Sequence, residues 1–167
     1  KDLSGGPPTG FDSALRRTFL LLITSSNDIL NAMKNQDAKA LRNALVVDRS
    51  INKMTNFCSR LLLTKGLDSS KKTIYHYHFI RSLEALADQY SLMAVQYSYD
   101  LKSFNKEILK NFEKINEVLQ EFYELFYNLD KEKLNDLFLK IKSMEPQKLF
   151  SIKNTSHLVV YFLTTIH

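Results

Sequence analysis

The fold class this sequence predicts is all-α, six helices arranged as two antiparallel three-helix bundles. Two observations carry the helical part. Apolar residues recur at three- and four-residue spacing along most of the 167 residues, the period of helices that bury one stripe. Breakers are scarce, with 4 Gly and 3 Pro, most of them in the first ten residues, so little interrupts a helix afterwards. The two-bundle part rests on a short internal echo. NQDAKALRNAL (35–45) and NLDKEKLNDLF (128–138) share an Asn, an Asp two residues later and a Leu four further on, each after a long apolar-striped segment. In both, the Asp is placed to cap a following helix.

The elements follow in order. Residues 1–11, KDLSGGPPTGF, begin without Met and read as a linker, with the expectation of a preceding domain. A first helix is predicted over about 12–34, with Leu15, Phe19, Leu22, Ile23, Ile29, Leu30 and Met33 on its apolar side. Asn35 and Asp37 break it and cap the next, over about 38–64, whose stripe is Leu41, Ala44, Leu45, Val47, Ile51, Met54, Cys58 and Leu62. Gly66 supplies a stop, and Ser69 or Ser70 a cap, for a third helix over about 71–100. Its stripe, Leu83, Leu86, Ala87, Tyr90, Met93, Ala94 and Tyr97, is the clearest in the chain. A fourth helix is predicted over about 105–128 through Phe112, Ile115, Leu119, Phe122, Leu125 and Phe126, and a fifth over about 131–144, before Pro146. A sixth spans about 156–167. The first bundle is then 12–100 and the second 104–167, sharing one core, a size that suits one compact unit.

Composition narrows the function classes. The net charge is +5, but the 23 basic residues are interleaved with 18 acidic ones. No Lys/Arg run dense enough to track a phosphate backbone is present, so direct nucleic-acid binding by this chain is not expected. The single Cys58 excludes an internal disulfide framework and a cysteine-rich zinc site. The compartment it predicts is the reducing cytoplasm. No apolar run approaches a membrane span. His76 and His78, two residues apart, point to different sides of a helix and do not form a zinc pair. Gly-rich phosphate loops, nucleophile elbows and His/carboxylate sets are missing from the sequence, so no enzyme is predicted.

The candidate chemistry lies on the second and third helices. Glu84 and Asp88 stand one turn apart at the edge of the third helix's stripe, where like charges repel by a few tenths of a kcal/mol. Asp48 and Asn52 have the same spacing on the second helix. In antiparallel neighbours these four oxygen-bearing side chains converge, and hard cations such as Mg²⁺, Mn²⁺ or iron take such ligands. The plain alternative is a solvated edge in which Arg81 pairs with Glu84 and Asp48 hydrogen-bonds Asn52. The rings of EFYELFY (121–127) occupy more than one side of the fourth helix. This predicts a homodimer with Phe122, Tyr123, Phe126 or Tyr127 near the contact.

ALVVDRSINKM (44–54) and SLEALADQYSLMA (82–94) resemble the second- and third-helix motifs of the PhoU family of phosphate-uptake regulators, an acidic-x-x-x-Asp pattern and a pattern like LERIADHA. The helical layout resembles that family along the whole chain. Asn52 stands where the family has Asp, and Gln89 where it often has His. The aligned second-half positions are Ile141 and Glu145, and the last helix has no acidic pair. The resemblance therefore implies one cation site of reduced charge at Asp48, Asn52, Glu84 and Asp88, holding a divalent cation (Mg, Mn or Fe) weakly or not at all. It further implies a module of phosphate-uptake regulation that acts through protein partners, as in archaeal regulators where an AbrB-type DNA-binding domain precedes a PhoU-like one. The rival reading is a metal-free structural or dimerisation bundle, or the ligand-binding bundle of an unrelated regulator.

Overall fold

A computed structural model describes residues 8–103 and 106–143. Among them are five α-helices and one 3₁₀ turn, in the order α1 (Phe11–Lys34), α2 (Ala38–Lys65), α3 (Ser70–Tyr99), the turn Leu101–Ser103, α4 (Lys106–Tyr127) and α5 (Lys131–Ser143). The chain is all-α. The predicted sixth helix, Pro146 and Glu145 lie outside the described residues, as does most of the expected linker. No described helix is long and apolar enough to cross a membrane.

Helix ends are set by local chemistry. At the end of α1, Gln36 takes a left-handed φ of 53°. Its N–H donates to the Met33 carbonyl (3.1 Å), and Asp37 N–H to that of Ala32 (2.9 Å). This paired closure satisfies carbonyls that the helix itself leaves open. Asp37 Oδ1 then accepts from Lys39 N and Ala40 N, both at 2.9 Å, and opens α2. Asp130 repeats the cap before α5, accepting from Glu132 N at 3.0 Å and Lys133 N at 3.2 Å. The two segments of the internal echo thus make the same capping bonds. Ser69 caps α3 by accepting from Lys72 N at 3.2 Å.

The helices alternate in direction. Thr55 meets Glu84, and Asp48 meets Asp88, so α2 and α3 are antiparallel. Phe11 meets His76, and Phe19 meets Phe79, so α1 and α3 are parallel. α1, α2 and α3 pack mutually, α4 lies against α1, and α5 against α4. One continuous apolar core runs through all five. Every stripe residue predicted for α1 is buried. On α2 the stripe differs: Leu45 is 39% exposed, while Leu41, Ala44, Ile51, Cys58 and Leu62 are buried. These five follow a strict three-four spacing that passes through positions 48 and 55, so Asp48 and Thr55 occupy the seam with α3.

The α4 aromatics are absorbed inside the chain. Phe126 stacks on Phe79 with centroids 4.6 Å apart and planes 6° from parallel. Phe19 lies within 6.3 Å of the rings of Phe122, Tyr123, Phe126 and Tyr127. Arg16 donates to the Tyr123 hydroxyl at 3.1 Å and sits 5.1 Å from the Tyr127 ring centroid. The rings on the second side of α4 therefore find partners on α1, and the expectation of a dimer no longer draws on them. A buried polar relay joins three helices: Tyr90 OH donates to Asn116 Oδ1, and Asn116 Nδ2 to Asn27 Oδ1, each at 3.1 Å.

Candidate functional site

The seam between α2 and α3 brings the four predicted residues together. Asn52 Nδ2 donates to Asp48 Oδ2 at 3.4 Å along α2. Across the seam, the Asp48 carboxyl lies within hydrogen-bond reach of Asp88 and in the field of Glu84. Thr55 Oγ1 donates to Glu84 Oε2 at 3.3 Å, and Arg81 forms an ion pair with the same oxygen.

Burial pushes the Asp48 carboxyl up from 3.8 to about 6, and the neighbouring Asp88 and Glu84 charges add to the shift while Arg49 opposes it. Desolvation and a second carboxylate both penalise the anion. Two ionised carboxylates have no proton to share, so neither can donate to the other. Asp48 Oδ1 and Asn52 Oδ1 are accordingly buried with no hydrogen-bond donor among the described residues. The seam contains two oriented oxygen acceptors that need a proton, a water or a cation.

The donor set discriminates among cations. Carboxylate and amide oxygens suit a hard ion that keeps part of its water shell. Among the described residues, no group of three His, Cys, Asp or Glu side chains is placed to hold a metal ion. Glu84 is already engaged by Arg81 and Thr55. The residues therefore do not fit a carboxylate-bridged cluster.

The plain alternatives are realised for some residues. Arg81 pairs with Glu84, as three-residue spacing allows. Cys58 is buried and unpaired, and desolvation pushes its thiol up to about 11, so the reactive thiolate is suppressed. His76 Nδ1 lies 2.9 Å from the Lys72 carbonyl, and its ring is edge-on to Phe11, a role in the start of α3. His78 is exposed.

Sequence reasoning missed Thr55, which is fully buried and links the two helices. It also missed a groove next along the same seam, where α2 contributes Lys53, Ser59 and Arg60, and α3 contributes Tyr77 and Arg81. Comparison of the chain with protein-family models, curated proteins and solved structures finds no match.

Proposed function

We propose that this chain is a non-catalytic regulatory module resembling PhoU, in which the α2–α3 seam takes up a hydrated divalent cation and relays its occupancy to protein partners. The observation that carries the reading is the convergence of Asp48, Asn52 and Asp88 around two buried oxygens with no donor. A cation there would offset the mutual repulsion of Asp48 and Asp88 and tie α2 to α3 at mid-length. Asn in place of Asp at 52 removes one charge, which favours Mg²⁺-like, weak binding over a tight iron site. The phosphate-uptake link and the AbrB-type context rest on the motif resemblance of residues 44–54 and 82–94. The two-bundle arrangement rests on the matching Asp37 and Asp130 caps. A two-fold dimer is the working state this reading favours, as the commonest oligomer, and light scattering tests it.

Thermal unfolding in millimolar MgCl₂ or MnCl₂, against equal ionic strength of NaCl, tests the cation. Ligand that binds only the folded state stabilises it, by about 1.4 kcal/mol at ten times Kd. The wild type should melt higher with the divalent ion, and Asp88→Ala should lose that response. An equal response in both proteins, or none in either, would remove the cation from the reading. A second reading, a metal-free structural bundle, is favoured by the Arg81 and Thr55 contacts that satisfy Glu84 without any ion.

A further inference from the structure

We propose that the groove between α2 and α3, next along the seam from the acidic residues, is a binding site for a phosphate-type oxyanion, carried as a phosphate monoester on a small molecule with an apolar or flat body. Four observations carry this. First, the groove gathers three cations, Lys53 and Arg60 from α2 and Arg81 from α3. Among the described residues Lys53 and Arg60 make no ion pair, whereas Arg81 is shared with Glu84. In a chain whose charges otherwise alternate, three cations in one concavity raise the local positive potential.

Second, Ser59 lines this groove and is 8% exposed, and its hydroxyl is buried with no hydrogen-bond partner among the described residues. Serines inside helices usually donate to a carbonyl one turn back. The hydroxyls of Ser50, Thr18 and Thr64 do so here. Ser59 is left as an unspent donor at the wall of a groove that Arg60 and Arg81 also line, and a rotation of its hydroxyl toward the groove would let a tetrahedral oxyanion accept from it and from the guanidinium groups.

Third, the groove is open to solvent and offers about 570 Å³, within the size range of small-molecule sites and far more than a bare phosphate fills. Fourth, the half-buried Tyr77 ring and the exposed Leu63 side chain wall the remainder together with the Asn56 amide. A wholly polar wall would suit an inorganic ion alone; a ring, a leucine and one amide suit a phosphate attached to a body with an apolar face and a polar edge. The cations are too few and too localised to track a nucleic-acid backbone.

Calorimetric titration of the full chain at low salt with AMP, adenosine and inorganic phosphate tests the site and separates its two sources of phosphate. AMP should bind, adenosine should not, and inorganic phosphate should bind more weakly than AMP. Tight binding of phosphate with no gain for AMP would assign the site to the free ion, with the oxyanion assignment intact. Lys53→Ala and Arg60→Ala should each weaken binding about tenfold or more, the scale of a charge-assisted hydrogen bond. Ser59→Ala should weaken it severalfold without lowering thermal stability, because the hydroxyl holds nothing in the unliganded fold. Neither Lys53 nor Arg60 belongs to the acidic seam, so these results stand apart from any Mg²⁺ response. Absence of binding by AMP and phosphate at millimolar concentration, or affinities undiminished in Lys53→Ala and Arg60→Ala, overturns the proposal.

Discussion

Replacing Asp48 with Asn should change how stability depends on pH. In the unfolded chain this carboxyl releases its proton near 3.8; in the fold it does so near 6, first because it is desolvated and then because Asp88 and Glu84 face it. Between those values the folded state holds a proton that the unfolded state has lost. Stability from this group is therefore present at low pH and falls as pH rises from about 4 to about 6. A shift of roughly two units at 1.36 kcal/mol each sets a ceiling of about 3 kcal/mol. Asp48 is only partly buried, and water screens part of the interaction, so the expected penalty is on the order of 1 kcal/mol. Asn carries no charge, and its amide supplies the donor that Asp88 lacks. Urea unfolding of both proteins, followed by far-UV circular dichroism from about pH 4 to about pH 7, isolates the effect. Carboxylates outside the seam are common to the two proteins and cancel in the difference, and any change at Asp88 and Glu84 belongs to the same seam electrostatics. The variant should gain about 1 kcal/mol on the wild type across this range. Parallel curves, or a variant that loses ground as pH rises, would refute the seam electrostatics.

Gln36→Gly should stabilise the fold by up to about 1 kcal/mol, because Gly takes the left-handed φ of 53° without the Cβ cost; an unchanged urea midpoint would count against that closure. Asp37→Ala should cost about 1 kcal/mol through loss of the α2 cap, read in the same denaturation assay. Phe19→Ala should cost about 3–5 kcal/mol, since Phe19 is fully buried and touches rings on both α3 and α4. Thermal unfolding that moves by only a degree or two would show that the aromatic cluster is not central to the core. Tyr90→Phe should cost about 1–3 kcal/mol by leaving Asn116 Oδ1 buried without its donor, and the double variant with Asn116→Leu should recover part of that loss.

How much of this is legible in the sequence differs by element. The ends of α1 to α5 fall within a residue or two of the predicted ones, because the Asp and Ser caps and Gly66 announce them locally. The predicted α2 stripe is too broad. Leu45 is apolar but lies off the three-four path, and position 48 replaces it because the α3 contact fixes which side faces inward. The strict path through 41, 44, 48, 51, 55, 58 and 62 puts Asp48 and Thr55 on the seam by spacing alone. The convergence of Asp48 with Asp88 follows from antiparallel pairing of two helices with equal spacings. The basic groove is hidden because Lys53, Arg60 and Arg81 look like ordinary solvated positions one at a time, and only the α2–α3 alignment gathers them. The surplus of rings on α4 is visible in EFYELFY, but not its destination, since α1 offers Phe19 and Arg16 from more than a hundred residues away.

The relay from Tyr90 through Asn116 to Asn27 dictates the kind of motion α4 can make. Apolar stripes tolerate sliding, because one Leu can replace another as a neighbour. A one-turn displacement of α4 is about 5.4 Å, enough to carry Asn116, which is 6% exposed, away from both partners. The Asn116 amide would then be stranded in the core, at about 1–3 kcal/mol for a group left unpaired, while the Tyr90 hydroxyl would keep the Ser26 hydroxyl within hydrogen-bond reach. The track along the helix axis therefore has a notch that the apolar stripes alone would not cut. The same two bonds fasten α4 to α3 and to α1, so lifting α4 off them breaks what sliding it breaks, and the relay holds the register and the seating of α4 together.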